Sequence, residues 1–530
     1  MGITSSPLWS LVLLSFHSFH GPPEDYPRTL ARDVPVSVDL YPIHPHPLDP
    51  DRDGLRLLRR RAVLDVLRVQ EYQIGAGSRQ RRVPASIIIG SNFPRLVPPR
   101  HLTPALHPLP ASGRIGGNTH RVTDRGQAMS VSHLRSCVLL VIVVAATAAI
   151  AQSPARYDDA VLARKKMFAD RQRAALGVPF SGVRARAGVE PGLFPIRATA
   201  VSTEPIRLAA AAFIDSLSPT QLIRTMFAVD DAEWRRWSNV DNGLYVRQGV
   251  SLKEMTVVQR EAAMALVRAS LSPNGLGLTQ AIMKTDQTLR EINNDIVRYD
   301  SDLYFFTIMG HPSSTEPWGW QIDGHHLVIN YFVLEDQVVM TPVFLGAEPA
   351  VAATGRYAGN AVLQVEQDGG LAFMRSLTQS QRDAATLRRD KTENDIQAEA
   401  DRDNLVLDYR GVRAAALAAP QKAQLLELVG LYVNNMREDQ ARVRMTEVAA
   451  HLDDTYFAWS GGTSDADVFY YRIHSPVVLI EFDHQRPIGT RRIYPPDRPT
   501  KAHIHVIVRT PNGNDYGKDL LRQHLAAHPH

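Results

Sequence analysis

Histidine is the residue type through which this sequence points to chemistry. Eleven histidines follow Gln152, and seven of them fall within the last 57 residues. His503 and His505 flank Ile504 in the apolar run from Ala502 to Arg509, where a strand is expected, and side chains two apart on a strand share a face. Two imidazoles so placed can ligate one metal ion. His524 and His528, four apart on the predicted terminal helix, also share a face, the spacing by which a helix offers two histidines to zinc. The adjacent pair His325-His326 opens the strand expected from Leu327 to Phe332. Alternation would put the two rings on opposite faces, so one of them reaches a site and the other does not.

Two acids extend this set. Glu481 lies in the apolar strand Val477 to Asp483, where a carboxylate is costly unless paired, protonated or metal-bound, which makes it a candidate ligand or general base. A salt bridge to Arg472 or Arg509 is the alternative. Asp515, in the turn-rich loop Thr510 to Asp519, either caps the last helix or orients a ligand histidine as a carboxylate behind the metal. The expected site therefore comprises His325, His326, His503, His505 and His524 as metal ligands, with Glu481 and Asp515 as catalytic groups. The only cysteine, Cys137, excludes multi-thiolate centres, and an imidazole and carboxylate shell suits a divalent Zn, Cu or Fe ion.

Other chemistries lack their motifs. There is no GxSxG nucleophile elbow, no phosphate-binding P-loop and no GxGxxG dinucleotide fingerprint. Charge argues against nucleic acid as a partner. The first 128 residues hold 16 Arg, no Lys and 10 acids, a net +6, so the rest of the chain carries −2 of the total +4.

The elements that must position these residues begin with a charged helix, Asp158 to Leu176, and a Gly/Pro/Arg-rich connector. A helical region extends to about Tyr299. Strand signals follow at Leu303 to Met309, Gly319 to Leu334 and Gln337 to Phe344, with Glu335-Asp336 as a hairpin tip. A second helical block covers Leu371 to Arg388 and Gln421 to Leu452, and strands return at Tyr456, Val468, Val477 and Ala502. The segment from Ala212 to Gln221 matches that from Ala372 to Gln381 in spacing, each with a hydroxyl three residues before glutamine, a capping box. The expected fold class is α+β, with antiparallel sheets and two helical blocks in the order helix-sheet-helix-sheet. Residues 152–530 form the folded part, read as two α+β halves at about 205–365 and 366–530.

The segment before this differs in kind. Residues 1–128 hold 16 of the 35 prolines without period and are read as disordered or as a gene-model extension. From Met129, His133 and Arg135 precede the apolar run Cys137 to Ile150, and Ala149-Ile150-Ala151 supplies small residues for cleavage. Residues 129–151 thus read as a signal peptide, with export to the periplasm or beyond and no stable membrane anchor. Fourteen apolar residues fall short of the ~20 that span a bilayer.

Several longer motifs carry a family resemblance. They are Gly319-Trp320-x-x-x-Gly324-His325-His326-Leu327, Pro342-x-Phe344-x-Gly346-Ala347-x-Pro349-Ala350, Phe469-Tyr470-Tyr471-Arg472-Ile473-His474-x-Pro476, Ile480-Glu481, His503-x-His505, and Asn514-Asp515-Tyr516-Gly517-x-Asp519-Leu520-Leu521-x-x-His524. From Ser153 to His530 the chain resembles the family catalogued as domain of unknown function 3500. The resemblance implies a mostly bacterial, often exported protein and brings no activity with it. The residues themselves predict a metal-dependent enzyme, hydrolytic with zinc and oxidative with iron or copper, acting on a small-molecule or polymer substrate. The competing expectation is a non-catalytic exported binding protein with a structural metal or none.

Overall fold

The computed structural model describes residues 159–528. The Arg/Pro-rich segment 1–128 and the expected signal peptide 129–151 lie outside the described residues. Among the described residues no helix is long and apolar enough to cross a membrane.

Helix α1 (Asp159–Leu176) leads into α2 (Glu204–Ser216), α3 (Pro219–Thr225) and the short strands β1 (Met226–Phe227) and β2 (Val250–Ser251). Helices α4 (Val257–Ser270) and α5 (Pro273–Asn293) precede β3 (Tyr304–Met309), β4 (Trp318–Gly324), β5 (Leu327–Leu334), β6 (Gln337–Val339) and β7 (Val343–Ala347). The same succession then recurs: α6 (Gln364–Ser376), α7 (Gln379–Ala385), β8 (Thr386–Arg388), β9 (Val412–Arg413), α8 (Ala419–Val433), α9 (Glu438–Ala450), β10 (Tyr456–Gly461), β11 (Phe469–His474), β12 (Leu479–His484) and β13 (Ile504–Arg509). Helix α10 (Lys518–Ala527) closes the described chain.

The expected arrangement of antiparallel sheets alternating with helical blocks is corrected here. All thirteen strands form one mixed sheet, in the order β1-β3-β4-β5-β7-β13-β12-β11-β10-β8, with β2 beside β3, β6 beside β5 and β9 beside β10. The pairs β1/β3 and β8/β10 are parallel and the others antiparallel. The α+β class fits. The reason for the difference is the join between β7 and β13, which pairs Val343 with Val508 and Gly346 with His505. That contact spans some 160 residues of sequence, and no local pattern announces it.

The sheet is two-sided in chemistry. Phe306, Ile322, Ile329, Val343, Val508, Ile480, Ile473 and Phe457 stand opposite one another in register across eight strands. Helices α2, α4, α5, α6 and α8 cover this apolar row, with Phe213 on Phe306 and Phe373 on Phe457 at ring distances of 5.7 and 4.7 Å. Each such side chain removed from water contributes about 2 kcal/mol, so this face holds the main core.

One residue along each strand, the opposite face carries Asp323, Asn330, Glu481, Asp483, Arg472, His505 and Arg509 among fewer apolar groups. Segments 228–249 and 389–411 cover it and supply hydrogen-bond partners. Gln321 donates to the Trp234 carbonyl, Asp323 pairs with Arg247 at 3.0 Å, and Arg509 pairs with Asp403 at 2.9 Å. Polar side chains on a buried strand face require such partners, because an unpaired charge there is costly.

Capping glutamines fix the helix starts on the core side. Ser218/Gln221, Thr256/Gln259 and Thr378/Gln381 each form a capping box. Gln221 bonds Gln259, and Gln381 bonds Gln421 in the same manner.

Candidate metal centre

Three histidines from two distant parts of the sequence meet on the polar side of the sheet. His505 lies on β13, and His503, two residues earlier, points the same way. His326 sits in the two-residue turn between β4 and β5, at φ 60°, a left-handed conformation that non-glycine residues adopt rarely. The turn, not a strand, explains why the expected opposite-face arrangement of His325 and His326 does not occur. Their rings stack at 3.9 Å, and both line the same cavity.

The three Nε2 atoms converge. His503 and His505 approach to 3.0 Å, and His326 lies 3.3 Å from each. The protons are committed elsewhere. Nδ1 of His503 lies 2.7 Å from the Arg486 carbonyl oxygen, which can only accept, so this nitrogen carries the hydrogen. Nδ1 of His505 meets Glu399 Oε1 at 2.6 Å, and this carboxyl, which burial pushes up to about 7, also only accepts once it is ionised. Burial holds His503 down to about 4 and His505 to about 3, with His326 well below its ordinary value, so all three rings are neutral near pH 7. Two bare Nε2 lone pairs therefore face each other at 3.0 Å, an arrangement that repels unless a cation lies between them. Three nitrogens this close could together hold one ion at the usual zinc–imidazole distance of about 2.0–2.1 Å. This is the donor set of a three-histidine site, with a carbonyl and a carboxylate orienting two of the rings from behind.

Backbone packing makes room for the tripod. Gly346 of β7 sits opposite His505, and its N–H donates to the His326 carbonyl at 2.7 Å. A Cβ there would come within 3.0 Å of His326 Cδ2 and 3.0 Å of the Ile504 oxygen, so only glycine lets the ring lie where it does. Glu348, after β7, accepts from the amides of Ile488, Gly489 and Thr490 and from the Thr490 hydroxyl. These donors and the nearby His503 hold its carboxyl down to about 2, with its oxygen 3.8 Å from His503 Nδ1.

The histidines form the floor of a cavity of about 320 Å³, walled by Phe168 of α1, Asp241, Tyr299, Glu348 and Arg491. His325 stands beside them with its Nδ1 2.6 Å from Asp286, itself fully buried on α5 and bonded by the Tyr304 hydroxyl at 3.1 Å. The Asp286 charge raises the affinity of His325 for a proton against the opposing effect of burial. Among the described residues no hydrogen bond engages its Nε2.

The other expected site residues stand apart. His524 on α10 lies 3.5 Å from Glu316, and its ring packs on His528 at 4.6 Å. Glu481 accepts from the amides of Gln397 and Ala398 and from the Tyr470 hydroxyl at 2.6 Å, which ties down the segment that carries Glu399. Asp515 accepts from the Thr510 amide at 2.7 Å and pairs with Arg509 at 3.1 Å. Neither acid lines the cavity. Conversely, sequence reading passed over Glu399, Glu348 and Asp286. Asp286 alone left a trace, an acid on the helix stripe that also holds Ile282, Met283 and Leu289.

Residues 199–518 match a family model described as Protein of unknown function (DUF3500). No curated protein and no solved structure matches the chain.

Proposed function

The chain belongs to this family of proteins of unknown function, DUF3500, and from the geometry we propose that it is an exported metal-dependent enzyme, a hydrolase, with His326, His503 and His505 as ligands. The observation that carries the reading is the convergence of the Nε2 atoms of three neutral imidazoles within 3.0–3.3 Å on the floor of a cavity. A purely structural zinc site is normally closed by four protein ligands, whereas three ligands facing a cavity leave room for substrate. Zinc bound there would supply Lewis acidity and an activated water.

The protein's own groups then have distinct tasks. Glu399 and the Arg486 carbonyl keep two rings in the tautomer that presents Nε2. His325, oriented by Asp286, is the group placed to take up a proton and return it to a leaving group, as a general base held by a carboxylate does. Tyr299, whose ring lies 5.5 Å from that of His325, walls the cavity beside it.

The test is elemental analysis by mass spectrometry on protein purified without a histidine tag or chelator. We expect close to one equivalent of zinc per chain, lost in a His503→Ala/His505→Ala variant that keeps its thermal transition. Metal below about 0.2 per chain after zinc loading, or equal content in the variant, would sink the proposal. One equivalent of iron or copper instead would replace hydrolysis with oxidation.

A further inference from the structure

The cavity above the three histidines has a charge imbalance at its mouth. Two carboxylates line it, and both are engaged. Asp241 is held by Arg298 at 2.7 Å, and Glu348 accepts four hydrogen bonds from residues 488–490. The two lining arginines are not engaged in this way. Arg491 donates only its Nε, to the Ile488 carbonyl at 2.9 Å, and among the described residues neither it nor Arg164 pairs with a carboxylate. Arg164 is carried by α1, a helix with no buried residue, which is fixed to the rest by Arg171 on Asp401 and by Arg235 on the Ala175 carbonyl.

The two guanidinium groups at the mouth are thus left without a carboxylate partner among the described residues. An arginine presents planar donors that match carboxylate and phosphate oxygens, and clefts of one sign draw in ligands of the other. Met167, Phe168, Val240 and Leu244 give the lining an apolar part.

We propose that the substrate of this site is a small amphiphilic oxyanion, whose carboxylate or phosphate is held by Arg164 and Arg491 while its apolar body lies on Phe168 and Leu244. The proposal rests on the metal-site reading only for where the reacting end of that substrate lies. Recognition of the anion by the arginines does not need the metal.

The experiment measures binding of hexanoate, butyl phosphate and the neutral hexanamide by calorimetry, in metal-free and zinc-loaded protein and in an Arg164→Gln/Arg491→Gln variant. Both arginines are exposed, so the variant should keep its fold, which a thermal melt checks. The expected result is that at least one anion binds tenfold or more tightly than hexanamide in both metal states, and that the variant loses this advantage. The preferred anion identifies the head group. Equal binding of hexanamide, no anion binding, or an anion preference that survives in the variant would overturn the proposal, the last placing the oxyanion on the metal instead. Failure of the metal-site reading shows separately, as absent zinc in elemental analysis with arginine-dependent binding intact.

Discussion

Replacing Gly346 with alanine tests the tripod more sharply than removing a ligand. The added Cβ would lie 3.0 Å from His326 Cδ2 and 3.2 Å from Cγ, and 3.0 Å from the Ile504 oxygen. Ordinary contacts begin near 3.4 Å, so the imidazole must retreat by a few tenths of an ångström, because the strand backbone on the other side is less free to move. The stability cost is small. Overpacking of this kind costs about 1–3 kcal/mol, and the lower unfolded-state entropy of alanine returns about 0.4–1 kcal/mol. Metal binding has no such compensation, since a ligand set must be held within about 0.5 Å of its productive geometry. Zinc affinity, measured by competition with a chromophoric chelator, should fall by roughly 10- to 100-fold, the range seen when supporting residues of metal sites are removed. The thermal transition without zinc should move by only a few degrees. Affinity within threefold of wild type would refute the reasoning, as it would mean that His326 does not hold the ion.

Two further outcomes follow from buried acids. Glu481→Ala removes the acceptor for the Gln397 amide and for the buried Ala398 amide and Tyr470 hydroxyl, so stability should drop by about 3 kcal/mol in a denaturant titration, with zinc binding reduced less than in His505→Ala. Equal losses of zinc binding would make Glu481 a ligand. Glu233 has a buried oxygen that accepts no hydrogen bond among the described residues and has only the Arg236 guanidinium at 3.8 Å, and burial pushes its carboxyl up to about 8 from 4.5. The folded state thus prefers the protonated form, and stability is full below pH 4.5 and declines as pH rises towards 8. Glu233→Gln should therefore match wild type near pH 4 and exceed it at pH 8 by on the order of 2–4 kcal/mol, and a constant difference across that range would contradict the assignment.

Where chemistry follows from local repetition, the sequence displays it. His503 and His505 share a face because a strand alternates, and Ser218/Gln221 and Thr378/Gln381 cap helices because three residues suffice for the motif. The hairpin tip at Glu335-Asp336 is equally local. His326 lies at the limit of such reasoning, since moving it from a strand to a turn changes the direction of its ring, and strand parity carries no information about a residue at φ 60°. Glu399 lies beyond it, in a segment without periodicity that is held near His505 by Glu481 and Asp483, which bind the amides of residues 395–398, and by Arg509, which donates to the carbonyls of Ala398 and Glu399.

The apparent paradox of Glu481 resolves on the same grounds. An acid on an apolar strand reads as a sign of chemistry, and burial does demand a strong partner for it. In a sheet with only one apolar face, however, the polar face needs many such partners merely to hold its cover, and most of its charged groups serve that end. Arg509, Asp403 and Asp515 form a buried ion cluster, and Asp483 binds Lys391 at 2.9 Å. What sets the three histidines apart from these groups is the absence of a counterpart. The clusters around Arg509 and Asp483 join donors to acceptors, whereas His503 and His505 bring two Nε2 acceptors to 3.0 Å, with the Nε2 of His326 at 3.3 Å from each. The glycine, the left-handed turn and the two orienting oxygens around this contact are what support the cation site proposed for it.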